Sequence, residues 1–149
     1  MEISTTYQML EKQHANHKEQ CIALKRTLAQ TSDTALLQHH ILSFWRNELQ
    51  AHLETEEQTL IPFLRSMQFN AGLINMKQRE DNTLRLLAHR VSLLTNNETY
   101  VCRIFVDILE AHTDFEEKII FAKMKETFNN EAWEQLDRLM DVYKNSQGK

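Results

Sequence analysis

Residues 49–57 read LQAHLETEE and residues 109–117 read LEAHTDFEE, with five of nine positions identical. In each copy a histidine stands four residues before a glutamate: His52 with Glu56, His112 with Glu116. Helical geometry puts residues four apart on one face and one turn apart, so each pair can grip a single point in space. One such pair alone is ordinarily a solvated surface couple. These two share their stripes with Leu49, Leu60, Leu109 and Ile120, and an unpaired carboxylate seldom enters an apolar face. Two inward grips on different helices predict a helical bundle whose core holds a two-metal site. Glu57 and Glu117 fall off that face and are expected in solvent, or at most behind the metal-facing groups.

Working outward, the rest of the chain supplies the bundle. A length of 149 residues suits one domain with a real core, and only two Gly and one Pro interrupt an abundance of helix formers. A first helix over about 6–29 carries Tyr7, Leu10, His14, His17, Cys21, Leu24 and Leu28 at three- and four-residue spacing. Ser32 or Asp33 can cap a second helix running to about 66, with Pro62 predicting a kink near its end. Asn70 and Gly72 mark the next turn. The third helix, to about 94, is read with Leu73, Met76, Glu80, Leu84, Leu87, Val91 and Leu94 facing inward. Asn96 and Asn97 make a short connection to a fourth helix over about 98–128. A last amphipathic segment, about 131–144, carries Trp133, Leu136, Met140 and Tyr143 on one side and is expected to pack across the bundle. Short loops make neighbouring helices antiparallel. The fold class is therefore all-α: an antiparallel up-down four-helix bundle with a short C-terminal helix, in one domain.

Composition narrows the partners. A formal net charge of -4 with interspersed signs offers no basic patch for phosphates, so nucleic acid is not expected. The chain shows no apolar run of about 18 residues and no leader-like start, which predicts a soluble, unprocessed protein with no membrane attachment. Cys21 and Cys102 lie in apolar helical patterns and read as buried free thiols, which suits a reducing cytoplasm. Oligomeric state is not legible.

Two-metal bundles draw ligands from all four helices, so the first and third must contribute. On the first helix, His14 lies 18 residues before Ser32 and His52 lies 20 after it, against 15 for His17, so depth favours His14. His17 is left as the alternative ligand or a buried neighbour. On the third helix, Glu80 and His89 fall on opposite sides and cannot both face inward. Glu80 and His112 lie 16 residues on either side of Asn96, which selects Glu80. Counting from Asn70 instead favours His89, at 19 residues against 18 for His52, so that alternative stays open.

With these residues in place, the chain resembles the hemerythrin-like, or HHE cation-binding, family over roughly residues 7–125. The likeness rests on His in the first helix, His-x3-Glu in the second and fourth, a ligand in the third, and Leu60-Ile61-Pro62 after the first grip. The resemblance implies His14, His52 and His112 as terminal ligands, with Glu56 and Glu116 bridging two non-haem irons that can share an oxo bridge, and manganese or zinc as substitutes. The third helix departs from the pattern. The iron-centre repair branch often reads Met-x-x-Glu-His-Asp, whereas here Met76 is followed by Arg79-Glu80-Asp81, with Glu80 at the histidine's place. Oxygen-carrying members use two histidines on this helix, and this chain has neither in register, which argues against reversible oxygen carriage. A carboxylate there is a harder, anionic ligand that favours the ferric state or manganese.

The resemblance implies a di-iron protein that binds or reacts with a small ligand such as dioxygen, peroxide or nitric oxide, as sensor, scavenger or iron-handling factor. Whether it turns over as an enzyme is left open. Phe44, Trp45, Phe105 and Phe115 are candidates for a dry wall around the site. Two alternatives stand beside this reading. A ferritin-like di-metal oxidase would use Glu-x-x-His spacing, which is absent here. A metal-free helical interaction module would need Lys or Arg beside the buried His and Glu, and the inner stripes as read hold none.

Overall fold

Ser4, Asp33, Asn70 and Asn129 each turn a side-chain oxygen onto an otherwise free amide in a first helical turn, accepting from Tyr7 N, Leu36 N, Leu73 N and Ala132 N at 2.8–3.2 Å. These caps fix where the helices begin. The computed structural model of the protein describes residues 4–95 and 98–147. The connection expected at Asn96 and Asn97 lies outside the described residues.

The first helix of the bundle is α1 (Thr5–Gln30). The second is built from α2 (Thr34–Phe44), a π-helical turn (Trp45–Leu49), α3 (Gln50–Gln58) and α4 (Leu60–Ser66). The third is α5 (Ala71–Ser92). The fourth is α6 (Thr99–Phe115), a second π-helical turn (Glu116–Phe121) and α7 (Ala122–Thr127), and α8 (Asn130–Gln147) closes the fold. Helix α1 packs on α2 and α6, and α5 packs on α2 and α6, the neighbour relations of an up-down bundle. Among the described residues, no helix is long and apolar enough to cross a membrane.

The break in the second helix falls at Thr59, three residues before the proline that causes it. Pro62 has no N–H to give the carbonyl four residues back, and its ring crowds that turn. Thr59 leaves helical geometry (φ -124, ψ -66) and its hydroxyl donates to Thr55 O at 2.5 Å.

Two apolar clusters fill the bundle. One, toward the end holding Leu24, Leu37 and Val101, includes Leu49, Leu53, Leu84 and Leu109. The other includes Leu10, Leu60, Ile74, Ile120 and Met124, and α8 covers it with Ala132, Leu136 and Met140. Asp137 ties α8 to the chain start, accepting from Ser4 Oγ at 2.5 Å and Thr6 N at 2.9 Å. Leu136 is fully buried. Leu136→Ala is expected to lower unfolding free energy by about 2–5 kcal/mol, read from urea denaturation, because it empties the contact between α8 and the bundle. A change under about 0.5 kcal/mol would show α8 to be a loosely held appendage.

Candidate metal centre

Between the two apolar clusters lies a layer of buried polar side chains: His14 and His17 from α1, His52 and Glu56 from α3, Lys77 and Asp81 from α5, His112 from α6, and Glu116 at the start of the second π-helical turn. Each occupies an inward helical position, and all but His17 have leucine or isoleucine a turn away, so the apolar packing that holds the bundle also aims these groups at one another. π-helical turns widen the helix by one residue and recur at functional sites. Here one carries Glu116 itself and the other ends three residues before His52.

Glu116 is the hub. Its Oε2 lies 3.3 Å from His14 Nε2 and 3.9 Å from His52 Nε2, and its Oε1 lies 2.6 Å from His112 Nε2 and 3.2 Å from Lys77 Nζ. Glu56 Oε1 is 3.1 Å from His52 Nε2 and 3.0 Å from Lys77 Nζ. Lys77 Nζ donates to Asp81 Oδ2 at 3.0 Å, and Asp81 Oδ1 stands 3.2 Å from His112 Nε2. His112 Nδ1 donates outward to Glu80 Oε1 at 2.8 Å.

Several of these close approaches are not hydrogen bonds. Among the described residues, His14 Nδ1, His52 Nε2, Glu56 Oε1, Asp81 Oδ1, His112 Nε2 and Glu116 Oε1 are buried side-chain atoms without a hydrogen-bond partner. Such groups are costly unless a proton or a cation lies between them. His112 shows why: with Nδ1 donating to Glu80, a neutral ring turns its Nε2 lone pair on a carboxylate oxygen. His52, Glu56 and Glu116 form one triad with metal-ligand spacing, and Asp81, His112 and Glu116 form another.

Protonation in the metal-free protein follows the same geometry. Burial alone would lower the pKa of His52, but Glu56 and Glu116 hold it up at about 10. Burial opposes charge on His112 too, and Glu116 with Glu80 outweighs it, again to about 10. Burial would raise Glu116, yet His112 and Lys77 keep it well below the usual carboxylate range. Lys77 is likewise held well above its ordinary value by Glu56, Glu116 and Asp81 in spite of burial. Burial pushes Asp81 up to about 6 against the pull of Lys77. His17 faces no such partner: burial and then the neighbouring His52 lower it to about 4, and its ring stands edge-on to His52 at 4.7 Å.

Of the residues the sequence nominated, the structure brings His14, His52, Glu56, His112 and Glu116 into this layer. His17, the alternative on α1, is in it as well. Glu80 is a correction. Its side chain is 29% exposed and approaches His112 from the outside, while Asp81 takes the inward place. The inner face of α5 is Ile74, Lys77, Asp81, Leu84, Ala88 and Val91, one residue out of phase with the stripe read through Met76 and Glu80, and Met76 is 45% exposed. His89 is exposed, so neither nominee on this helix enters the site. Lys77 is the residue that sequence reading missed, and it supplies the buried basic partner thought to be lacking. A signal was present: Lys77 and Asp81 repeat the four-residue spacing of both His–Glu grips. As expected, Glu57 and Glu117 lie off the inner face, paired with Arg85 and Lys18.

The dry wall also differs from expectation. Phe44 packs on His17, but Trp45 and Phe105 belong to the apolar cluster toward Leu24. Against His14 it is Phe121 that packs, with ring centroids 5.5 Å apart. Beside His14, Glu56, Lys77 and Glu116 is a cavity of about 10 Å³, roofed by Leu10, Leu60, Ile120, Phe121 and Met124, roughly room for one water-sized occupant.

A family model described as the hemerythrin HHE cation binding domain matches residues 5–124. No curated protein and no solved structure matches the chain.

Proposed function

The chain belongs to the hemerythrin HHE cation-binding family, and from that premise we propose that it holds non-haem iron in the layer between its two cores and exposes the ion to one small oxidant: dioxygen, peroxide or nitric oxide. The observation that carries this reading is the buried convergence of His52 Nε2, which has no hydrogen-bond partner, with the Glu56 and Glu116 carboxylates, near a cavity of about 10 Å³ that borders both glutamates. Imidazole mixed with carboxylate suits iron, with manganese and zinc as competitors. Bound iron supplies an open coordination position and a change of valence. The protein's own part is to hold His14, His52, Glu56 and Glu116 in place, to keep bulk water out with Leu10, Leu60, Ile120 and Phe121, and to present the Lys77 ammonium to whatever enters. A cavity of this size admits only a small ligand. Scavenging, sensing and iron handling all use this chemistry, in a cytoplasm that would keep Cys21 and Cys102 reduced.

The test is to purify the protein without chelator, load ferrous iron anaerobically, and admit oxygen or nitric oxide. Iron is expected to stay with the native chain and to change its optical spectrum on exposure, and His52→Ala is expected to lose both. The metal replaces protons held by the buried rings. Because the folded pKa of His52 and His112 (about 10) exceeds the ordinary histidine value of 6.5, their protonated contacts stabilise the metal-free protein below pH 6.5, and this contribution is lost as pH rises toward 10. Metal binding is therefore expected to release protons, with affinity rising over that window, as calorimetry in buffers of different ionisation enthalpy would register.

A second reading is favoured by Lys77. Its ammonium neutralises part of the cluster without any metal, as a metal-free structural module requires. A native chain that retains no metal after loading decides for it.

A further inference from the structure

Lys77 occupies a place that a second cation would need. Its side chain is fully buried, and Nζ stands 3.0 Å from Glu56 Oε1, 3.0 Å from Asp81 Oδ2 and 3.2 Å from Glu116 Oε1, taking one oxygen from each buried carboxylate of the layer. Only toward Asp81 does it make a directed hydrogen bond. We propose that the centre is mononuclear: one divalent ion sits on the His14–His52 side between Glu56 and Glu116, and the Lys77 ammonium, anchored on Asp81, stands permanently in the second position. This rests on the cation-binding reading above and deepens it. It also revises the sequence-based expectation of two irons.

Three observations favour that division. The cavity borders His14, Glu56, Lys77 and Glu116 but not His52, Asp81 or His112, so the free space lies toward His14 and away from the Asp81–His112 face. That side also offers more donors: His14, His52, Glu56 and Glu116, with His17 against His52. Finally, a second divalent ion would lie close to a buried ammonium, and like charges at such range are strongly unfavourable in a water-poor interior.

The experiment is metal stoichiometry with electron paramagnetic resonance on the full chain, with helicity checked by circular dichroism. Native protein loaded with excess ferrous iron is expected to hold about one ion per chain. After oxidation that iron is expected to give the signal of an isolated high-spin ferric ion instead of the silence of a coupled pair. His112→Ala is expected to keep its ion and His52→Ala to lose it, while Lys77→His, which restores an imidazole donor on α5, is expected to approach about two ions per chain. Two ions on the native chain, a coupled spectrum, or loss of the ion in folded His112→Ala overturns the mononuclear centre. A folded Lys77→His chain that still holds one ion overturns Lys77 as the excluding group. No ion on the native chain instead overturns the cation-binding reading itself. Should Lys77→His not fold, the native stoichiometry and spectrum still decide.

Discussion

Glu116→Ala is expected to abolish metal binding and to destabilise the metal-free protein by about 3–5 kcal/mol, the cost of leaving buried partners uncompensated. No other side chain in the layer touches so many charged neighbours. Its two oxygens lie within 3.9 Å of His14, His52, Lys77 and His112, one residue from each of the four bundle helices. Removing it takes the acceptor from two rings that are protonated in the metal-free state and from one buried ammonium, while opening a void in a close-packed core. Urea denaturation and metal analysis on the same preparation read both effects. Glu116→Gln separates them, because it keeps volume and one acceptor while losing the charge. Should Glu116→Ala unfold at the native denaturant midpoint, the layer would have to be wet and its buried contacts nearly worthless.

Lys77→Met is expected to destabilise the metal-free protein on a similar scale, about 3–5 kcal/mol near neutral pH, since it strands Glu56, Asp81 and Glu116 in a site of low polarity. The penalty should shrink toward pH 5, where Asp81, already pushed up to about 6, can take a proton and relieve part of the repulsion. A divalent ion at a hundredfold excess over its dissociation constant should then restore about 2.7 kcal/mol to the variant. Equal denaturant midpoints for native and Lys77→Met chains, without metal and near neutral pH, would mean that the ammonium compensates nothing.

The parts of the site legible in sequence are those where chemistry and apolar periodicity agree. His52, Glu56, His112 and Glu116 interrupt stripes of leucine and isoleucine that leave no doubt which face is inward, and the spacing is given twice. On α5 the two signals conflict. The series 73-76-80-84-87-91 and the series 74-77-81-84-88-91 share Leu84 and Val91, and they differ in whether a lysine and an aspartate go inside. A general rule sends them to solvent, and that rule fails where three carboxylates and a lysine complete one another. Depth counting from Asn70 misled as well, because the helix between His52 and Asn70 is broken at Thr59, so residues there do not measure length at a constant rise. The π-helical turns leave no mark on composition. At these turns Phe44 with Trp45, and Ile120 with Phe121, are buried as adjacent pairs.

An ammonium has a single oxidation state and is bonded to the backbone, so Lys77 can neither surrender an electron nor be carried off by a chelator. A redox metal centre completed by such a group would store one equivalent where a pair of irons would store two, which would turn it away from two-electron transformations of its visitor and toward reversible capture or one-electron signalling. Without any metal, it would still be half filled and folded, ready for loading without first reassembling its walls.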